Sequence, residues 1–143
     1  MATAVLALLP PVLVKYMALE GTRDYVLRSG SMSEWIMSAK PKDDPVLIRF
    51  RQALNEMYGD RIERVVLFGS RARGDSREDS DYDVAVFLKS LPDRWAELDR
   101  LASLRVDMID ETGVFFDAKP YSADAWFERT PLMHEIRHDG LDL

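Results

Sequence analysis

At 143 residues, with 47% hydrophobic and 31% charged side chains, the chain has the balance of one soluble globular domain and can bury a core without cross-links. It contains no cysteine, which excludes disulfide scaffolds, thiolate zinc sites and cysteine nucleophiles, and which fits a reducing compartment such as the cytoplasm. A formal charge of −6, from 25 acidic against 19 basic residues, argues against a broad grip on nucleic-acid phosphate; direct nucleic-acid binding is not expected, and any phosphate must be bound locally.

The apolar stretch Ala4 to Val14 is too short to cross a bilayer, has no basic residue ahead of it and is broken by Pro10 and Pro11, so neither a membrane anchor nor a signal peptide is expected. The polar stretch that follows, with Gly21, Ser29, Gly30 and Ser31, announces no element. Residues 1–31 are therefore read as a loosely ordered N-terminal extension and residues 32–143 as the domain, with Met32 an alternative start.

From Asp44 the pattern becomes regular. Asp44 can cap a helix, Pro45 suits its first turn, and Leu47, Phe50, Leu54 and Met57 recur at helical spacing until Gly59. Arg64 to Phe68 and Val84 to Leu88 are short β-branched and aromatic runs that read as buried strands. Pro92 to Thr112 carries Trp95, Leu98, Ala102, Val106 and Ile109 on one helical face and stops at Gly113; Val114 to Tyr121 reads as a third strand. The tail is expected to be helical, with Ser122 and Thr130 as caps, Pro131 in a first turn and Gly140 as terminator. These elements predict an α+β, two-layer fold: a small mixed sheet with helices packed on one face.

Chemistry concentrates between the first two strands. Gly69-Ser70 is followed, after ten residues, by Asp81-Tyr82-Asp83. Strand side chains alternate, so Asp81 and Asp83 project to one side about 7 Å apart along the backbone while Tyr82 points away. Two carboxylates at the open end of a buried strand repel each other unless a cation joins them, and oxygen-only ligands favour Mg²⁺ or Mn²⁺ over zinc. Gly69 allows a sharp turn and close approach of backbone N–H groups to a phosphate, Ser70 adds a hydroxyl, and Arg71 and Arg73 add charge. Phosphate donors on one wall and metal ligands on the other suit phosphoryl or nucleotidyl transfer.

This spacing, with the longer string Phe68-Gly-Ser-Arg-Ala-Arg-Gly-Asp75 and Ser80-Asp-Tyr-Asp83, resembles the DNA polymerase β-type nucleotidyltransferase superfamily in its minimal branch. The likeness runs from about Asp44 to Leu143. It implies a nucleotidyltransferase fold with two Mg²⁺ ions held by Asp81, Asp83 and a third carboxylate on the next strand, and ATP with its β,γ-phosphates on Gly69-Ser70 and Arg71 or Arg73. Asp117, within Phe116-Asp117-Ala118, is the third carboxylate by strand context; Asp107 and Asp110 are the competitors and fall in the preceding helix. The chain ends soon after the third strand, which suggests that a partner brings the acceptor. By resemblance this is the HEPN-domain RNase toxin of a toxin–antitoxin pair, joined to its antitoxin as a hetero-oligomer and carrying a tyrosine that receives AMP. Two other readings stay open: an antitoxin that neutralises its toxin by binding alone, and a small-molecule transferase of aminoglycoside type.

A rival motif, His134-Glu135-Ile136-Arg137-His138, matches the H-E-x-x-H pattern of zinc hydrolases. Only five residues follow it, and Gly140 is expected to end the helix, so a solvated amphipathic helix is the expectation there.

Overall fold

The computed structural model describes residues 43–77 and 79–143; the N-terminal extension, the Ala4 to Val14 stretch and the alternative start at Met32 lie outside the described residues. The first helix, α1, spans Pro45–Tyr58. Asp44 caps it by accepting from the Val46 N–H at 2.9 Å, and Gly59, at φ +51°, closes it with its N–H on the Asn55 carbonyl. Its buried stripe is Val46, Leu47, Phe50, Ala53, Leu54 and Tyr58. Met57, expected on that stripe, is exposed at the rim, and Tyr58 is buried in its place.

A 3₁₀ turn at Gly59–Arg61 leads into β1, Ile62–Phe68. After a short helix α2, Gly69–Arg73, and the loop that follows, β2, Tyr82–Leu88, returns antiparallel to β1 with Leu67 opposite Val84 and Phe68 opposite Asp83. The next strand, β3, Phe116–Ser122, runs parallel to β2, so a crossover must join them, and α3, Arg94–Thr112, supplies it. After β3 come a 3₁₀ turn, Ala123–Phe127, the helix α4, Pro131–Asp139, and β4, Leu141–Asp142, which pairs antiparallel with β1. The sheet order is β3-β2-β1-β4, a mixed sheet as expected; β4 had no sequence signal beyond its two residues. Thr130 caps α4 through its hydroxyl, whereas Ser122 precedes the 3₁₀ turn without a side-chain capping bond.

α3 turned out to face the sheet differently from the apolar count. Its buried stripe is Glu97, Leu101, Leu104 and Met108, while Trp95 is 79% exposed and Val106 is also exposed. The misplacement has a physical cause: the stripe begins on a carboxylate, which hydrophobic periodicity discards. Glu97 tolerates 4% exposure because Arg61 bonds it at 2.7 Å and Arg100 at 3.2 Å, and these charges hold its pKa below the ordinary value against the cost of burial.

β1 and β2 are buried on both faces, which explains their unbroken apolar runs. On one face Val65, Leu67, Val84, Val86 and Leu88 pack against α1 and α3, with Phe50 stacked on Phe116 at 4.1 Å. On the other, Val66, Phe68, Ala85, Phe87 and Tyr121 meet only the second 3₁₀ turn and α4, through Ala125, Met133 and Ile136. The main helical layer is thus on one side, as the fold class requires, and the short tail helix covers part of the other. No helix among the described residues is long and apolar enough to cross a membrane.

Candidate active site

The second face carries the acidic residues. Asp83 follows Tyr82 in β2 and so turns away from the α1 and α3 layer, where Tyr82 is buried. It is half-buried, with Phe68 beside it on β1 and Asp117 in direct register on β3. Such a register sets the two backbones about 4.8 Å apart. Asp81 stands one residue before β2 and is exposed. Burial pushes the Asp83 carboxyl above the ordinary carboxylate range, the negative charges of Asp117 and Asp81 add to the push, and Lys119 opposes it. Asp107 and Asp110 are exposed on α3.

Asp117 is already paired. Its Oδ2 accepts from Lys119 Nζ at 2.8 Å, and its Oδ1 faces an Arg105 Nη1 at 3.6 Å. Among the described residues no three His, Cys, Asp or Glu side chains are gathered closely enough to hold an ion. Asp83 and Asp117 are therefore neighbours in the sheet without forming a closed cage.

Gly69 begins α2 at φ +72°, and a Cβ there would overlap the Asp83 carboxylate, so only glycine lets the turn lie against this acid. Ser70 follows, half-buried. Arg71 and Arg73 are two residues apart on a helical turn, about 200° around its axis, and cannot serve the same side. Arg71 donates from Nε to the Ser80 carbonyl at 2.9 Å and lies 4.0 Å over the Tyr82 ring, whose hydroxyl donates to the buried Asp44 at 2.6 Å. Partly buried, Arg71 thus fixes the residue before Asp81 while it also lines the open cleft beside that acid. Arg73 joins Glu135 of α4 at 3.0 Å and Asp75 at 3.4 Å, and Glu135 is close enough to add to the push on Asp83. An open cleft of about 170 Å³ beside Asp81 is lined by Arg71, Ser80, Val114 and Phe115 among others.

The His pair of α4 stacks ring on ring at 6.0 Å, with Glu135 turned to Arg73 and His138 Nδ1 against Asp139 at 2.5 Å, in keeping with a surface helix. Three participants were not read as part of this site: Lys119, Arg105 and Glu135, the last seen only within the rival His134 to His138 motif. Lys119 was findable, because the period of two in β3 puts it on the face of Asp117; Arg105 and Glu135 reach the site only through tertiary packing.

A family model described as "Nucleotidyltransferase domain" matches residues 47–133. The chain belongs to the nucleotidyltransferase domain family. This nucleotidyltransferase domain is 32% identical over 72 residues to the protein adenylyltransferase MntA of Thermococcus cleftensis, covering 46% of this chain and 71% of that protein. It is 40% identical over 47 residues, 33% of this chain and 48% of the relative, to a Methanocaldococcus jannaschii protein provisionally named a protein adenylyltransferase. The nucleotidyltransferase domain thus spans about half the length of that relative. Among solved structures it resembles a chain of a toxin–antitoxin crystallised with AMP-PNP, at 19% identity, 66% and 69% coverage of the two chains and a TM-score of 0.49.

Proposed function

We propose that this domain transfers AMP from ATP to a hydroxyl of a partner protein, a tyrosine of a HEPN-domain RNase toxin in the cytoplasm, and so acts as the antitoxin of the pair. The observation that carries the reading is the side-by-side register of Asp83 and Asp117 on the open face, against the Gly69 turn, in a chain of nucleotidyltransferase family. The names of the adenylyltransferase relatives support a protein acceptor, and the resemblance of the Gly69 to Asp83 string to the minimal branch supports the toxin.

The donor chemistry suits Mg²⁺: Asp81, Asp83 and Asp117 offer only oxygen, and the neighbouring negative charges that add to the effect of burial on Asp83 are what a divalent cation relieves. Drawn together from the open arrangement described above, these three residues would hold the metal, which supplies charge neutralisation at the phosphates when bound. The chain's own groups do the positioning. Gly69 leaves room for the Asp83 carboxylate, Ser70 offers its hydroxyl to the polyphosphate, and Arg71 sets Asp81 through Ser80. The acceptor oxygen forms its bond to the α-phosphorus, the bond to the β-phosphate oxygen breaks, pyrophosphate leaves, and Asp117 receives the acceptor proton.

The test is to mix the protein with the product of its neighbouring gene, ATP and Mg²⁺, and to read intact mass. A gain of AMP on the partner, lost in Asp81→Ala and Asp83→Ala with the fold retained, is the expected result. Labelling that survives both substitutions, or an unmodified partner, overturns the reading.

A further inference from the structure

Both oxygens of Asp117 point at cations, and the nearer is two residues along the same strand face. The Lys119 ammonium is 2.8 Å from Oδ2, its side chain is about half exposed, and its charge also reaches Asp83. Ion pairs at this exposure are weakly held and exchange readily. Three carboxylates with Lys119 and Arg105 carry a local charge of −1, since Arg73 and Glu135 offset each other. A bare divalent cation that binds with both Lys119 and Arg105 in place leaves the site at +1, and one that displaces Lys119 strands that ammonium without its carboxylate. A cation arriving with a polyphosphate brings the anions that receive it.

We propose that Lys119 is a place-holding cation: it occupies Asp117 until the metal–nucleotide complex arrives, then moves its ammonium from the carboxylate to a phosphate of the nucleotide. Lysine suits this exchange better than arginine would, being a point charge on a flexible four-carbon stem. The device makes the metal and the nucleotide bind as one, because the free ion competes with an ammonium that the complex accommodates. It rests on the metal-dependent transferase reading above and adds a residue to it.

Opposite signs in one variant test it. In Lys119→Met, Mn²⁺ alone, followed by electron paramagnetic resonance of the free ion, should bind about threefold more tightly, since a competing exposed pair is gone. The α,β-methylene analogue of ATP, titrated calorimetrically at saturating Mn²⁺, should bind about tenfold more weakly, since a charge-assisted contact to phosphate is gone. Lys119→Arg keeps a cation there and should hold Mn²⁺ affinity near wild type while binding the analogue between wild type and Lys119→Met. A merely structural lysine would weaken both or neither, and either result overturns the exchange. If Lys119→Met leaves Mn²⁺ affinity unchanged while wild type binds the ion, the exchange alone fails. If wild type takes up no Mn²⁺ even with the analogue, the metal reading fails and the exchange with it.

Discussion

At the scale of single residues, the site is held in a costly arrangement. Folded Asp83 titrates above its ordinary value of 3.8, so between the two values the native state keeps a proton that the unfolded chain has lost, and stability falls as pH rises through that window. At neutral pH in metal-free buffer, Asp83→Asn should therefore melt above wild type, with the gain shrinking as pH is lowered toward 3.8; a wild type at least as stable at neutral pH would contradict this. Gly69→Ala should cost at least about 2 kcal/mol, combining left-handed strain with the overlap on the Asp83 carboxylate. Since Asp83→Ala removes the overlapping atoms, urea melts of the double variant should show a loss smaller than the sum of the singles, and strict additivity would refute the close approach. The turn at Gly69 and the place of Asp83 at the start of β2 were legible in sequence, because a glycine before a polar stretch and an apolar run after it announce themselves locally. The contacts of Arg71 were not legible for the converse reason: Ser80, Tyr82 and through it Asp44 meet it only in the fold.

At the scale of elements, spacing located α1, α3, α4 and the three longer strands among the described residues, missed the short α2 that it read as a turn, and erred on which way α3 faces. Counting apolar residues favoured Trp95, Leu98 and Val106; the sheet sees Leu101, Leu104 and Met108 in line with an ion-paired Glu97. Chemical denaturation separates the two registers. Leu101→Ala should cost about 2–5 kcal/mol as a cavity in the core, whereas Trp95→Ala should stay within about 0.5 kcal/mol. The same lesson explains Met57, which belongs to a helical stripe by type and to solvent by angle. β4 escaped detection because a two-residue strand has no periodicity to read; the pairing of Val66 with Asp142 and Leu67 with Leu141 creates it.

At the scale of the whole molecule, that short strand closes one edge of the sheet. The Leu143 N–H donates to the Val65 carbonyl at 3.0 Å, and Arg51 bonds the Leu143 carbonyl at 3.2 Å, tying the end of the described chain to β1 and α1. Removing residues 141–143 should bare the hydrogen-bonding edge of β1, lower the melting temperature and promote association, visible by light scattering at rising concentration. A shortened chain that stays monomeric with an unchanged melt would show the edge to be protected otherwise. The two sides of the sheet are unequal. α1 and α3 wall off one broad side completely, so a visitor to Asp83 and Asp117 has a single hemisphere from which to arrive. Lys119 and Arg105 stand in that doorway, so under the function proposed above a protein acceptor would meet the same two cations that attend the carboxylates. Grip and chemistry would then draw on shared side chains, and a change in one would disturb the other.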